Sequence, residues 1–242
     1  MPINTSTTPV LSWLKLLDLE ESDVEVGLHT AEHGKNEIRV RILSGGRSLE
    51  TIVWNPTTFK GVMDHALRLA AMVHRLPVLM SAIAEREARL RTLRSWIHAP
   101  VKQQNPGAPT SVCLYWEDDW RILGRWVPDL IDRAGGRPVL LDSGDDDMKA
   151  DSRDLSRAEL DVIFLGTATA GTDPIFITAV NELFEEVHVS GRAYIADMSA
   201  VIETGPALYD SVFLLAAGLN PEIEELESKR IELTLVYPPG TD

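Results

Sequence analysis

The chain has 242 residues, a formal net charge of −14, 44% hydrophobic residues and 25% charged residues. These values exclude a disordered or collagen-like chain and describe an ordinary globular protein, long enough for two modest domains. The charge is uneven, +2 through Thr110 and −16 beyond it, so the second part repels nucleic acid and anionic lipid, and neither is expected as a partner.

The single cysteine, Cys113, excludes an internal disulfide and a Cys-based zinc site. The longest apolar runs, such as VFLLAAGL from Val212, are too short to span a bilayer. The opening residues MPINTSTTPV have neither the basic start nor the apolar core of a secretion signal, which reads as a cytoplasmic protein.

In chain order, Thr8-Pro9 offers an N-cap and a first helical position for a short helix around 11–17, with Trp13, Leu14 and Leu17 on one face. Strand-like runs follow at 24–30, 37–43 and 49–54. In the second, Ile38, Val40 and Ile42 alternate with Arg39 and Arg41. Turn residues separate the runs, so an antiparallel meander is expected. Helical periodicity covers 58–75, breaks at Pro77 and resumes over 78–97, with Leu79, Ile83, Leu90, Leu93 and Ile97 as an apolar stripe. Arg86, Arg89, Arg91 and Arg94 crowd the rest of that helix. They suit a solvated face near a helix C-terminus better than a nucleic-acid groove, because Glu85 and Glu87 offset part of their charge.

The segment 99–110, APVKQQNPGAPT, interrupts the periodic regions with prolines and polar residues and reads as a linker. It divides the chain into a small α+β domain (1–98), an antiparallel meander with a helical hairpin, and a Rossmann-like α/β domain (111–242). Beyond it, strand candidates at 112–116, 138–141, 161–166, 193–196 and 232–237 alternate with helices at 118–133, 153–159, 174–187, 207–217 and 221–229. Near-continuous apolar strands such as VIFLG imply parallel strands covered on both faces. The expected fold is therefore α/β, with a flavodoxin-like parallel five-stranded sheet in the order 2-1-3-4-5.

In such a sheet, ligands lie beyond the C-terminal strand ends. Those ends supply Trp116 and Asp118 after the first strand, Asp142 and Ser143 after the second, Gly166, Thr167 and Gly171 after the third, and Asp197 after the fourth. Clustered carboxylates would hold a divalent cation such as Mg2+, or serve as helix caps and turn residues. No residue is assigned as a metal ligand, and the six histidines show no ligand spacing. The small-residue loop GTATAGTDP (166–174) lets backbone N–H groups approach a ribose or phosphate. Its spacing is neither the dinucleotide fingerprint nor a Walker A loop. Trp116 at a strand end is either core packing or a platform on which a base stacks.

The strand of SVCLYW, the acid-rich EDD, the Gly135-Gly136 stop, the next strand, and a third strand followed by the glutamate-bearing helix ITAVNELFEEV together resemble a TIR domain over 111–200. The Trp-x-x-x-Glu run usual in that family is absent. Many bacterial TIR domains cleave NAD with a glutamate on the helix after the third strand, so the resemblance implies NAD as substrate and Glu182 as the catalytic residue. Other chemistries lack their residues: Gly166-Thr167 stands where a receiver domain needs aspartate, and there is no Gly-x-Ser-x-Gly elbow. The function expected is a nucleotide-binding or sensing module acting on NAD or a related nucleotide. The alternative is a non-enzymatic adaptor that binds a protein partner, or a second copy of itself, through the helix pair 58–97.

Overall fold

The computed structural model describes residues 8–19, 24–30, 36–44, 47–98, 107–167, 173–187 and 191–236. Most of the expected linker and Gly171 lie outside them. The first part opens with α1 (Thr8–Leu16), which buries Trp13 and Leu14 and is followed by buried Leu17. Strands β1 (Val24–Thr30), β2 (Asn36–Ser44) and β3 (Arg47–Trp54) form the antiparallel meander. Val40 of β2 faces Val26 on one side and Ile52 on the other. Ile38 and Val40 are buried while Arg39 and Arg41 are half-exposed, the alternation of a one-sided sheet.

Helix α2 (Phe59–Met72) is capped by Thr58, whose Oγ1 accepts the Gly61 N–H at 2.9 Å. A turn with His74 at φ +57° leads into α3 (Leu76–Ile97), which carries Pro77 in its first turn, where a missing N–H costs nothing.

The second sheet is mixed, with strand order β10-β9-β8-β4-β5-β7. Its centre is parallel: β4 (Thr110–Trp116), β8 (Val162–Thr167) and β9 (Arg192–Asp197) lie in register. The all-parallel five-strand expectation needs correction around this centre. The last strand, β10 (Thr234–Val236), is antiparallel to β9. The strand expected over 138–141 shrinks to β6 (Arg137–Pro138), because Pro138 has no N–H to donate and Leu140 turns at φ +75°. The helix expected over 118–133 is a strand, β5 (Trp120–Ile122), and a short helix, α4 (Val127–Arg133). β5 folds back on β4 so that Trp120 pairs with Trp116, and an aromatic cross-strand pair outweighs local helix propensity. β7 (Met148–Lys149) extends this edge.

Helix α4 ends as its Gly-Gly pair dictates. The Gly136 N–H reaches Ile131 O and the Gly135 N–H reaches Asp132 O, both at 3.0 Å, with Gly135 at φ +88°, a Schellman close. The sheet is covered on both faces. One carries α5 (Ser152–Arg157) and α6 (Pro174–Glu186), packed on Val112, Leu114, Ile163, Leu165, Ala193 and Ile195. On the other, Cys113, Tyr115, Val162, Phe164, Tyr194 and Ala196 join a core shared with α4, with α7 (Ser199–Ile202) and α8 (Leu208–Leu219), and with the first part of the chain. The expected helix at 221–229 is a 3-10 turn (Glu224–Leu226) running into α9 (Glu227–Arg230).

Specific bonds seat the first part on the second. The Trp13 and Trp54 indole N–H groups donate to Thr204, to its O at 2.7 Å and its Oγ1 at 2.9 Å respectively. The Phe59 N–H, an orphan donor at the start of α2, is taken by Asp129 Oδ2 at 2.8 Å. Arg133 lies over the Phe59 ring at 4.1 Å and 3.7 Å from Glu87. The Tyr209 hydroxyl donates to Glu87 at 3.2 Å; burial, then the Glu87 charge, pushes that phenol well above its ordinary range.

Candidate functional site

The parallel register decides which strand-end residues meet. Trp116 is paired with Thr167, and Thr167 with Asp197, so the last residues of β4, β8 and β9 form a straight row at the carboxyl edge. Alternation puts all three on the α6 face, two positions beyond Leu114, Leu165 and Ile195. At about 4.8 Å per strand the row spans roughly 10 Å, the width of a small ring system. Trp116 is half-buried, Thr167 buried and Asp197 exposed.

Aromatic packing fixes the tryptophan end. Trp116 lies 5.2 Å from Trp120, which lies 5.8 Å from Phe176 on α6, and the Trp120 Nε1–H donates to Ala179 O at 3.2 Å. Ile175 in the first turn of α6 is 69% exposed, so apolar surface continues past the row. The carboxylate end is set by a helix start: Asp197 Oδ1 accepts the Ser199 N–H at 2.9 Å, opening α7. Nearby Glu203 has its carboxyl raised above the ordinary range, by burial first and by the Asp197 charge second.

The remaining expected residues have local duties. Gly166 precedes the row because a Cβ there would lie 2.1 Å from Met198 Cγ and 2.7 Å from Ala196 O. Asp118 is exposed in the β4–β5 turn beside Asp119, which pairs with Lys149 at 3.0 Å. Asp142 and Ser143 are exposed; the Asp142 N–H donates to Asp145 Oδ2 at 2.9 Å, within a loop tied to the Gly124–Arg125 corner. There the Arg125 N–H reaches Asp145 O at 2.6 Å, and the Gly124 N–H reaches Asp147 Oδ1 at 2.8 Å. Glu182 is exposed on α6. Among the described residues, no three of His, Cys, Asp and Glu gather as a cation would need. Burial pushes the Cys113 thiol well above its usual range, leaving it protonated and unreactive.

Asp147 gives a pH prediction. Its carboxyl is raised by burial, against lesser opposing contributions from the Gly124 bond and Arg125. A raised carboxyl stabilises the fold only while protonated, below its unfolded pKa, and that contribution is lost as pH rises through the folded value. Asp147→Asn, which keeps the acceptor for Gly124, is therefore expected to raise Tm at pH 7. Thermal melts across pH should show the gain vanish below about pH 4, where aspartate is neutral in both states.

The fold that carries this edge is shared with solved substrate-binding proteins. A periplasmic heme-binding protein from Pseudomonas aeruginosa matches with TM-score 0.52 and 17% identity, over 69% of this chain and 62% of that one. An ABC transporter substrate-binding protein from Listeria monocytogenes matches with TM-score 0.50 and 14% identity, over 69% and 66%. A periplasmic heme-binding protein from Roseiflexus in its apo form matches with TM-score 0.50 and 16% identity, over 68% and 62%. The chain thus spans about two thirds or less of the length of each. No family model matches, and no curated protein matches.

These likenesses correct three expectations together. The folds matched are substrate-binding proteins rather than TIR domains, so neither the TIR resemblance nor the NAD-acting module it implied stands. A strand-helix-strand pattern is common to many α/β folds and does not single out one of them. The cytoplasmic expectation falls as well, because the matched proteins described by location are periplasmic; it rested only on the composition of the opening residues. No helix among the described residues is long and apolar enough to cross a membrane.

Proposed function

We propose that this chain is a ligand-binding module of the substrate-binding kind, holding a small molecule at the carboxyl edge of β4, β8 and β9. The observation that carries the reading is the in-register row of Trp116, Thr167 and Asp197 in a fold shared with substrate-binding proteins. An indole face, a hydroxyl and a carboxylate make a binding set, apolar contact at one end and hydrogen bonding at the other. Residues 1–98 act in this reading as a small α+β unit whose Trp13 and Trp54 hold Thr204, next to Glu203. That grip steadies the loop behind Asp197.

The edge is acidic. Glu117, Asp118, Asp197 and Glu203 lie there, so neutral or cationic groups are preferred at the Asp197 end. Titrating intrinsic tryptophan fluorescence with heme, and with a panel of amines, sugars and amino acids, tests the proposal. A saturable ligand is expected whose affinity falls at least about tenfold, roughly 1.4 kcal/mol, in both Trp116→Ala and Asp197→Asn. Unchanged affinity in the two variants would overturn the site.

A further inference from the structure

We infer that the ligand is an organic cation, an aromatic ring bearing an ammonium group, and that Glu203 is a second carboxylate selecting that charge, placed with Asp197 at the two ends of α7. This rests on the binding role proposed above for the row of Trp116, Thr167 and Asp197. Asp197 Oδ1 accepts the Ser199 N–H at 2.9 Å, and the Glu203 N–H donates to Ser199 O at 3.1 Å. One helical turn, about 6 Å in rise, therefore separates the two acids. The Glu203 backbone is fixed in that place. The next residue, Thr204, is buried and held at both its O and its Oγ1 by the Trp13 and Trp54 indoles.

Thr167 supplies the independent sign of a ligand. It is 8% exposed and stands between Trp116 and Asp197 in the row, and among the described residues its hydroxyl has no hydrogen-bond partner. A hydroxyl so buried is ordinarily satisfied, and a ligand N–H lying along the row satisfies it. Charge decides what kind of N–H. Among the described residues, no ion pair involves Asp197 or Glu203, and Lys149 is taken by Asp119 in the β4–β5 turn at 3.0 Å. The Glu203 carboxyl is raised by burial first and by the Asp197 charge second; a cation beside the pair relieves that repulsion, whereas an anion adds to it. Charge-assisted hydrogen bonds outweigh a cation–π contact with a half-exposed indole. The ammonium end therefore lies at Asp197 and the ring at Trp116. A row of roughly 10 Å fits a bicyclic ring with a two-carbon arm.

Isothermal titration calorimetry with three ligands on one indole scaffold reads the selection: tryptamine is the cation, tryptophol the neutral alcohol and indole-3-propionate the anion. Tryptamine is expected to bind about tenfold more tightly than tryptophol, with indole-3-propionate weakest. Glu203→Gln, which keeps the shape and the backbone bond to Ser199, should lower tryptamine affinity about tenfold and move tryptophol less than about twofold. Glu203→Asp, which keeps the charge, should retain part of the preference. Melting of each variant checks that the fold is intact. Equal affinity for tryptamine and tryptophol, with Trp116→Ala still lowering both, would overturn the charge selection and leave the row as the site. A Glu203→Gln protein that loses both ligands equally, or neither, would overturn the role of Glu203. If none of the three binds, the inference falls, and the wider panel with Trp116→Ala decides separately whether the row holds a ligand.

Discussion

Phe164→Ala is expected to cost the fold about 3–5 kcal/mol. The ring is fully buried at the middle of β8, the central parallel strand. It stacks on Tyr194 of β9 with centroids 5.9 Å apart. α8 crosses it so closely that a Cβ on Gly218 would lie 2.6 Å from Phe164 Cε1. Removing the ring leaves a cavity between sheet and helix that neither a strand held on both sides nor a helix with buried neighbours on every turn can collapse to fill. Urea unfolding should show a lower midpoint with an unchanged slope. A loss under about 1 kcal/mol would mean that α8 does not sit on this face of the sheet.

Gly166→Ala is expected to destabilise by about 3 kcal/mol, the upper end of ordinary overpacking, and to weaken ligand binding as well. The added methyl meets the Met198 side chain and the Ala196 carbonyl. Met198 is fully buried, and the carbonyl belongs to the strand paired with β8 at this position. The chain relieves the clash by parting β8 from β9 next to the Thr167–Asp197 pair, which pulls the row out of line. Melting temperature and ligand affinity should fall together. A Gly166→Ala protein that melts and binds like wild type would show that the two strand ends are not so close.

The elements that declared themselves locally are legible in the residues. Alternation marks β2, the run VIFLG marks β8, and Gly135-Gly136 ends α4 where its positive φ is needed. What escaped depends on distant partners. β5 is a strand because Trp120 finds Trp116 across a hairpin and Phe176 on a helix 56 positions away, whereas its own neighbours favour a helix start. Thr204 is gripped by tryptophans 191 and 150 positions away, and no local pattern announces that.

The site was half visible for the same reason. Trp116, Thr167 and Asp197 are legible as strand ends, but only the register shows that they form one row on one face. Asp142 sits instead in a loop bound to its own neighbours and to the Gly124–Arg125 corner, and Asp118 in the β4–β5 turn. Glu182 is drawn to notice by its place on the helix after β8, but its exposure follows from the helical spacing that buries Val180, Leu183 and Phe184.

Amide and indole chemical-shift mapping, with the ligand that quenches tryptophan fluorescence, tests the central claim most directly. The largest shifts are expected at the Trp116 indole and at the amides of Thr167 and Asp197, with smaller ones at Ile175 and Glu203 and none along α3. Shifts concentrated elsewhere, or a saturating ligand that leaves Trp116, Thr167 and Asp197 unmoved, would contradict it.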